Sequence, residues 1–402
     1  MGWCSVFQTL VSHNDDLNRL VEKGYAVAFD SGHMIVRNIP YLDQDLNLQK
    51  GAIVTKLTFI DETHVQQVNH QIFFAGSSPY GLDGAPVKNM GDSPAQVVLS
   101  DACKDVVVQR SFSNLPNATK RWADFFDKID GYVVQISGPA MAKYDVDPYT
   151  FGSVTEGGTD PIFKFQDTLT SRAEITDLRT KFTDEVVAII GLGGTGSYVL
   201  DFMVKTPVRE IRAFDLDPFH VHNAFRSPGR LEKSELGKAK ADVYADRYEN
   251  FRTGLKLVPK IIDASCAADL EGVTFAFVCV DKGSSRSAIF DLLLSMGIPF
   301  IDVGMGLSRQ QGALNGMTRI TYFDPAHGAD IKNKGLAPLS DPADDLYKVN
   351  IQISELNALN ASMAVIRYKQ LRGFYTEEEA KYHLVFNVGD YRVLGLAASD
   401  EI

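Results

Sequence analysis

The chain has 402 residues, 45% of them apolar and 23% charged, an ordinary globular composition with room for two or three domains. Its net charge of -11 argues against a nucleic-acid-binding protein, which needs a basic surface to meet phosphates. No apolar run approaches the roughly 20 residues that cross a bilayer, so no membrane partner is expected.

Four cysteines, Cys4, Cys103, Cys266 and Cys279, have no paired spacing. They indicate a reducing compartment, hence a cytoplasmic location, and no structural zinc. The first residues, MGWCSVFQTLVSHNDD, lack the charged and long apolar stretches of a signal peptide.

Residues 1–160 read as an α+β module with an antiparallel sheet. A helix over Asp15–Lys23 carries Leu17, Leu20 and Val21 at helical spacing and stops at Gly24. Strands follow from Tyr25 (YAVAFD), Met34 (MIVRNI), Ala52 (AIVTKLTFI) and Gln71 (QIFFAG), separated by turn residues. Two more are expected over Gln96–Leu99 and Val106–Ser111, then a helix around Lys120–Ile129 and a strand from Tyr132. Trp122, Phe125 and Phe126 suit the core of this module. The run HQIFFAGSSPYG, an aromatic strand leading into a Gly/Pro turn, suggests capture of a protein ligand by strand addition. His70 within it reads as an ordinary strand residue.

Phe151–Pro161 (FGSVTEGGTDP) has the composition of a linker. From residue 161 to 402 helix and strand alternate. Strands near Val186, Ile211, Leu257, Val273 and Pro299, with helix-length segments between them, predict a Rossmann-like, doubly wound, mostly parallel sheet. A long helix over Asn350–Leu371 carries Ile353, Leu356, Leu359, Met363, Ile366 and Leu371 on one apolar side. A strand pair, His383–Asn387 and Tyr391–Leu394, closes the chain.

The chemistry concentrates in VVAIIGLGGTGSYVLDFMVKTPVREIRAFDLDPFHVHNAFR, residues 186–226. It reads as strand, glycine turn, helix, strand. Glycines let the backbone approach a ligand closely, and the helix N-terminus that follows favours anions. Gly191, Gly193 and Gly196 satisfy the dinucleotide pattern, and Asp215 lies where a ribose-binding acid belongs, so a nicotinamide oxidoreductase stays open. The polar set that follows suits ATP better: Asp215 and Asp217 flanking Leu216, then Asn223, Arg226, Lys238, Lys240, and Asp281 ending the strand FAFVCV. Carboxylates facing a polyphosphate serve best with Mg2+ between, because bare they repel it. Arg and Lys neutralise the α-phosphate and a departing pyrophosphate. The reaction this favours is attack of a carboxylate on the α-phosphorus, giving an acyl adenylate.

The motifs GLGGTGS, DLD, NAFR, GKAK and VCVD resemble, in order and spacing, the ATP-binding signature of the ubiquitin-activating superfamily, the bacterial ThiF/MoeB/HesA adenylyltransferases. The resemblance covers roughly residues 165–395. It implies ATP over Gly191, Gly193, Gly194, Thr195 and Gly196, with Asp215 on the ribose and Asp217 near it. It implies Asn223, Arg226 and Lys240 on the phosphates, and Asp281 holding Mg2+. The family's lysine is usually the second of G-K-x-K, which favours Lys240 over Lys238. The family also sends an arginine into the partner subunit's site, for which Arg172 is best placed, and this implies a homodimer. The N-terminal part resembles a module found before bacterial ThiF-like domains in ubiquitin-like conjugation gene sets. The partners implied are a ubiquitin-like protein with a C-terminal glycine and a ubiquitin-conjugating-enzyme-like protein. A small-molecule or tRNA-modifying adenylyltransferase, and a non-catalytic nucleotide-binding adaptor, stay open as alternatives.

The pattern departs from the family in two places. There are no C-x-x-C pairs, and the loop AHGADIKNKGLAPLSDPADDLYKVN, where many relatives carry a catalytic cysteine, has none. Either the protein stops at the adenylate, or Ser340 takes the acyl group with Asp341, Asp344 or Asp345 as a weak base, or Cys266 or Cys103 acts from elsewhere. Ser340 also reads as a plain turn residue. Cys279, inside an apolar strand, reads as core.

Overall fold

A computed structural model describes residues 3–116, 118–154, 161–173, 175–341 and 351–397. The chain divides into two compact units, Met1–Asp177 and Leu178–Ile402.

In the first unit eight strands run in chain order: β1 (Ala26–Asp30), β2 (His33–Leu42), β3 (Leu48–Lys56), β4 (Thr58–Phe59), β5 (Val65–Gln66), β6 (Gln71–Ala75), β7 (Ser93–Pro94) and β8 (Arg110–Ser113). Six of them form one antiparallel sheet in the order β1-β2-β3-β6-β8-β7, and β4 pairs with β5. One face buries Val27, Val36, Ile53, Ile72, Phe74 and Phe112 against the helices Asp15–Lys23 and Phe125–Lys143. The helix Asp15–Lys23 ends as its sequence dictates, with Gly24 in the left-handed region at φ 104°. Trp122 and Phe125 are buried in this core, and Phe126 packs on it partly buried.

Four expectations for this unit fail, one of them the strand over Val106–Ser111, which begins only at Arg110. Residues 96–99 form no strand; Val97 and Leu99 instead pack, with Val106 and Val108, over the second face of the sheet. Tyr132 starts no strand either, because one helix runs from Phe125 to Lys143. Its buried residues Phe125, Ile129, Tyr132, Val133, Ile136 and Ala140 recur at helical spacing, and that packing overrides the strand preference of YVVQI. Finally, β6 pairs with both β3 and β8, so QIFFA has no free edge for strand addition.

The second unit is a Rossmann-like α/β domain around an eight-stranded, mostly parallel sheet. Its strands are β9 (Val186–Ile190), β10 (Glu210–Phe214), β11 (Leu255–Val258), β12 (Phe275–Val278), β13 (Phe300–Gln310), β14 (Ala313–Phe323), β15 (Lys381–Asn387) and β16 (Arg392–Ala397), in the order β11-β10-β9-β12-β13-β14-β15-β16. The first five are parallel and the last three add antiparallel. β9 is buried along its whole length, as a central parallel strand must be. Chain order reverses between β9 and β12, which opens a crevice beyond their carboxyl ends.

The long helix spans Ser354–Leu371, but its inward face is not the one expected. Asn357, Asn360, Ala361, Ala364, Val365 and Tyr368 are buried. Ile366 is 48% exposed, and Leu356, Leu359 and Met363 are only half-buried. Small and carboxamide side chains let this helix lie close to the helix Gly194–Val204. Ile366→Ser is therefore expected to change stability by less than about 0.5 kcal/mol. Tyr368→Ala, which empties a packed aromatic site, is expected to cost about 3–5 kcal/mol. Urea unfolding of the two variants checks the assignment of the face.

Candidate active site

β9 delivers the chain into the glycine turn. Gly191 sits at φ 96°, and a Cβ there would stand 2.8 Å from the Cys279 carbonyl oxygen, so only glycine fits. A Cβ on Gly196 would collide with the Gly191 carbonyl. Gly193 precedes the helix Gly194–Val204, whose first turn faces the crevice. Thr195 Oγ1 donates to Asn357 Oδ1 at 2.9 Å, and Asn357 Nδ2 donates to the Arg226 carbonyl at 3.3 Å. One buried carboxamide thus ties the glycine turn to the segment that carries Arg226.

Asp215 stands just past the end of β10. Its carboxylate accepts from the Leu192 N–H at 2.7 Å and from the Asp217 N–H at 2.9 Å. Lys240 Nζ lies 3.4 Å from Asp215 Oδ1 and 2.8 Å from Asp217 Oδ2. The lysine is buried, whereas the Asp217 side chain is 75% exposed. Lys240 also begins the helix Lys240–Tyr248, and its N–H is held by the Asp217 carbonyl. Lys238 points away, to Asp246 at 3.4 Å.

Asn223 is buried, and its Oδ1 accepts from the His220 N–H at 2.7 Å, closing the short helix Val221–Ala224. Arg226 is half-buried, and its Nε finds no partner among the described residues. His222 is held below its ordinary value by burial and by the charges of Arg226, His220 and Lys240.

Asp281 leaves the end of β12 exposed at the crevice. Gln352 Nε2 donates to both its oxygens, at 3.4 and 3.2 Å. Although the side chain opens to solvent, the crevice walls beside it raise the pKa of the carboxyl, against the pull of Arg226, Arg286 and Lys240. A cavity of about 290 Å³ joins Asp281 to the glycine turn, with β13 and β14 as its far wall. Among the described residues no three His, Cys, Asp or Glu side chains gather as a metal cluster.

The glycine turn, Thr195, Asp215, Asp217, Asn223, Arg226, Lys240 and Asp281 lie in or around one crevice of the second unit. Arg172 ends the helix Thr168–Arg172 in the first unit, and its side chain lies outside the described residues. Ser340 is exposed, with its backbone packed on Gly283. The Asp341 carboxylate accepts the Ser284 N–H at 3.2 Å. Asp344 and Asp345 lie outside the described residues.

Several residues that build the crevice escaped the sequence reading. Asn357, Gln352, Arg286 and Arg319 line the cavity. A signal existed for Asn357 and Asn360, two carboxamides set among small apolar residues in LNALNASMA. Nothing local marked Arg286 or Arg319.

Residues 169–371 match the ThiF family, just over half the chain. The chain belongs to the ThiF family. Residues 15–168 match a domain of unknown function, DUF6791. The chain is 25% identical over 127 residues to the tRNA threonylcarbamoyladenosine dehydratase of Escherichia coli (strain K12), a match covering 31% of this chain and 47% of that relative. It therefore spans less than half of that relative's length. Among solved structures it is similar to E. coli MccB with ATP, at 14% identity and TM-score 0.42, over 56% of this chain and 67% of that one. E. coli MccB with succinimide is similar at 13% identity and TM-score 0.43, over 55% of this chain and 66% of that one. PaaA is similar at 17% identity and TM-score 0.43, over 55% of this chain and 75% of that one. Among the described residues of this ThiF protein no helix is long and apolar enough to cross a membrane.

The cysteines of the described side chains are poor acyl carriers. Cys279 Sγ is pushed far above the ordinary thiol range by burial, with Asp302 and Asp281 adding to the effect. Cys103 is buried with its pKa raised, and its sulfur takes a hydrogen bond from Arg37 at 3.5 Å. Cys266 is buried and directs its thiol at the Ile261 carbonyl, 3.6 Å away. A thiol reacts as the exposed thiolate. Iodoacetamide at pH 8 is expected to leave Cys103, Cys266 and Cys279 unmodified in the folded protein and to label all three in urea, as read by peptide mass spectrometry.

Proposed function

We propose that this chain is an ATP-dependent adenylyltransferase that activates the C-terminal carboxylate of a ubiquitin-like protein in a bacterial ubiquitin-like conjugation pathway. The observation that carries the reading is the convergence, in a ThiF domain, of the glycine turn, the Asp215–Lys240–Asp217 cluster, Arg226 and Asp281 on one crevice at the sheet's switch point. In this reading one oxygen of the partner's terminal carboxylate attacks the α-phosphorus of ATP. A P–O bond forms, the bond to the bridging oxygen breaks, and pyrophosphate leaves with that electron pair.

The chain's own groups have distinct tasks. Main-chain N–H groups of the glycine turn and the first turn of helix Gly194–Val204 meet the phosphates. Arg226 and Lys240 neutralise charge that grows on the non-bridging oxygens. Asp215 and Asp217 serve the ribose side, and Asn223 keeps its segment in register. Asp281 suits Mg2+, which typically takes one or two carboxylates and completes its shell with phosphate oxygens and water; the ion would offset charge on the leaving pyrophosphate.

With Cys103 and Cys266 buried and the Cys279 thiol held far above the ordinary range, passage of the adenylate to a nucleophile on a second protein, or to Ser340, is favoured over a thioester on these three. A ubiquitin-conjugating-enzyme-like protein is the partner proposed for that step. Residues 1–160 are proposed as the substrate- or partner-binding domain, 161–402 as the adenylation domain. A cytoplasmic homodimer in which Arg172 reaches the partner subunit's site completes the reading.

The similarity to the E. coli tRNA threonylcarbamoyladenosine dehydratase favours a second reading, an adenylation within tRNA modification. ATP–pyrophosphate exchange separates the two: exchange that requires a protein ending in glycine supports the first, and exchange that requires tRNA supports the second. In either case Asp281→Ala is expected to lower the exchange rate roughly 100-fold. A near-normal rate would show that Asp281 holds no catalytic metal.

A further inference from the structure

One side chain at the cavity has no task in the chemistry above. Gln352 lines the cavity together with Gly193, Gly194, Thr195 and Asp281. It stands just before Ile353, the N-cap of the helix Ser354–Leu371. Its Nε2 donates to both oxygens of Asp281, at 3.4 and 3.2 Å. Among the described residues no other side chain donates to that carboxylate.

The other end of the same carboxamide meets the glycine turn. Gln352 Oε1 is buried with no donor among the described residues. It packs on the start of the helix Gly194–Val204, where a Cβ on Gly194 would stand 2.7 Å from it. The group therefore spans the gap between the acid that suits the metal and the backbone that suits the phosphates. Its polarity runs the same way as theirs. A donor faces the carboxylate, where a cation belongs. An oxygen faces the helix start, where a phosphate oxygen belongs.

The hold is weak enough to be released. Both donor–acceptor distances exceed the usual value of about 2.9 Å. The buried oxygen without a donor is a standing cost, and it ends when the side chain swings away into water. Arg226, Arg286 and Lys240 act on the same carboxylate through their charges, so Asp281 keeps compensation when the amide departs. A neutral amide is also a poorer partner for a carboxylate than a divalent cation is.

We infer that Gln352 is an autoinhibitory placeholder: its carboxamide occupies the junction of the metal and phosphate positions, and it must leave Asp281 for nucleotide and Mg2+ to bind. The inference rests on the adenylation reading above. Nucleotide binding then works against an internal hydrogen bond. Release is useful only when the cation arrives with the nucleotide, because phosphates alone would meet the bare carboxylate and be repelled.

The test titrates the full chain calorimetrically with the ATP analogue that carries a methylene between its α- and β-phosphorus, once with Mg2+ and once with EDTA. With Mg2+, Gln352→Ala is expected to bind the analogue roughly fivefold more tightly than the wild type does. With EDTA that gain is expected to vanish, since the phosphates then face a bare Asp281 in the variant. In an Asp281→Ala background, Gln352→Ala is expected to change the affinity with Mg2+ not at all. Gln352→Ser repeats the measurements if a melting curve shows that Gln352→Ala is unfolded at the assay temperature. Equal or weaker binding by the Gln352 variant with Mg2+ overturns the placeholder. A gain of the same size in EDTA, or one that survives in Asp281→Ala, overturns it as well, because the side chain would then merely fill space. Failure of both wild type and variant to bind the analogue overturns the adenylation reading itself.

Discussion

The crevice depends on what the Asp215 carboxylate holds. One carboxyl group accepts the N–H of Leu192 in the glycine turn and the N–H of Asp217 in the next loop, and it faces the buried ammonium of Lys240. The glycine turn, the loop after β10 and the start of the helix Lys240–Tyr248 are fastened at one point. The turn could otherwise relax, since glycine-rich backbone carries the greatest conformational freedom to lose. Removing a partner from such a buried, charge-assisted cluster leaves an uncompensated charge, which is why clusters of this kind act as a unit.

The second constraint is the face of the long helix. Asn357 bridges Thr195 and the Arg226 carbonyl, and Asn360 donates to the Gly304 carbonyl at 3.0 Å. A row of leucines in those positions would bury more apolar area but would leave these backbone and hydroxyl groups unpaired. The helix gives up some hydrophobic burial and orients both walls of the crevice. The exposed Ile366 is consistent with that choice, because the helix is seated by Ala361, Ala364, Val365 and Tyr368 together with its two asparagines.

Much of the second unit was legible because its signals are local. Val186–Ile190 is a continuous β-branched run that meets a glycine cluster, and a central parallel strand followed by a tight turn needs little else. The strands at Glu210, Leu255, Phe275 and Phe300 were marked by short apolar runs between helix-length segments. The first unit was less legible. YVVQI has strand-forming residues but lies in a helix, because its apolar spacing of three and four was satisfied by the sheet beneath it. Val97 and Leu99 have the right residue types for a strand but were claimed as a cover for the sheet's second face.

By itself the sequence determined that a nucleotide-type turn exists, which acids and bases accompany it and which family they belong to, since each rests on neighbours within a few residues. Only the tertiary structure decided which groups remain unpaired. Arg286 and Arg319 look alike in sequence, yet all three guanidinium nitrogens of the first are hydrogen-bonded while Nη2 of the second is buried without a partner among the described residues. Hydrogen-bond satisfaction is a property of who arrives from elsewhere in the chain, and no local pattern carries it.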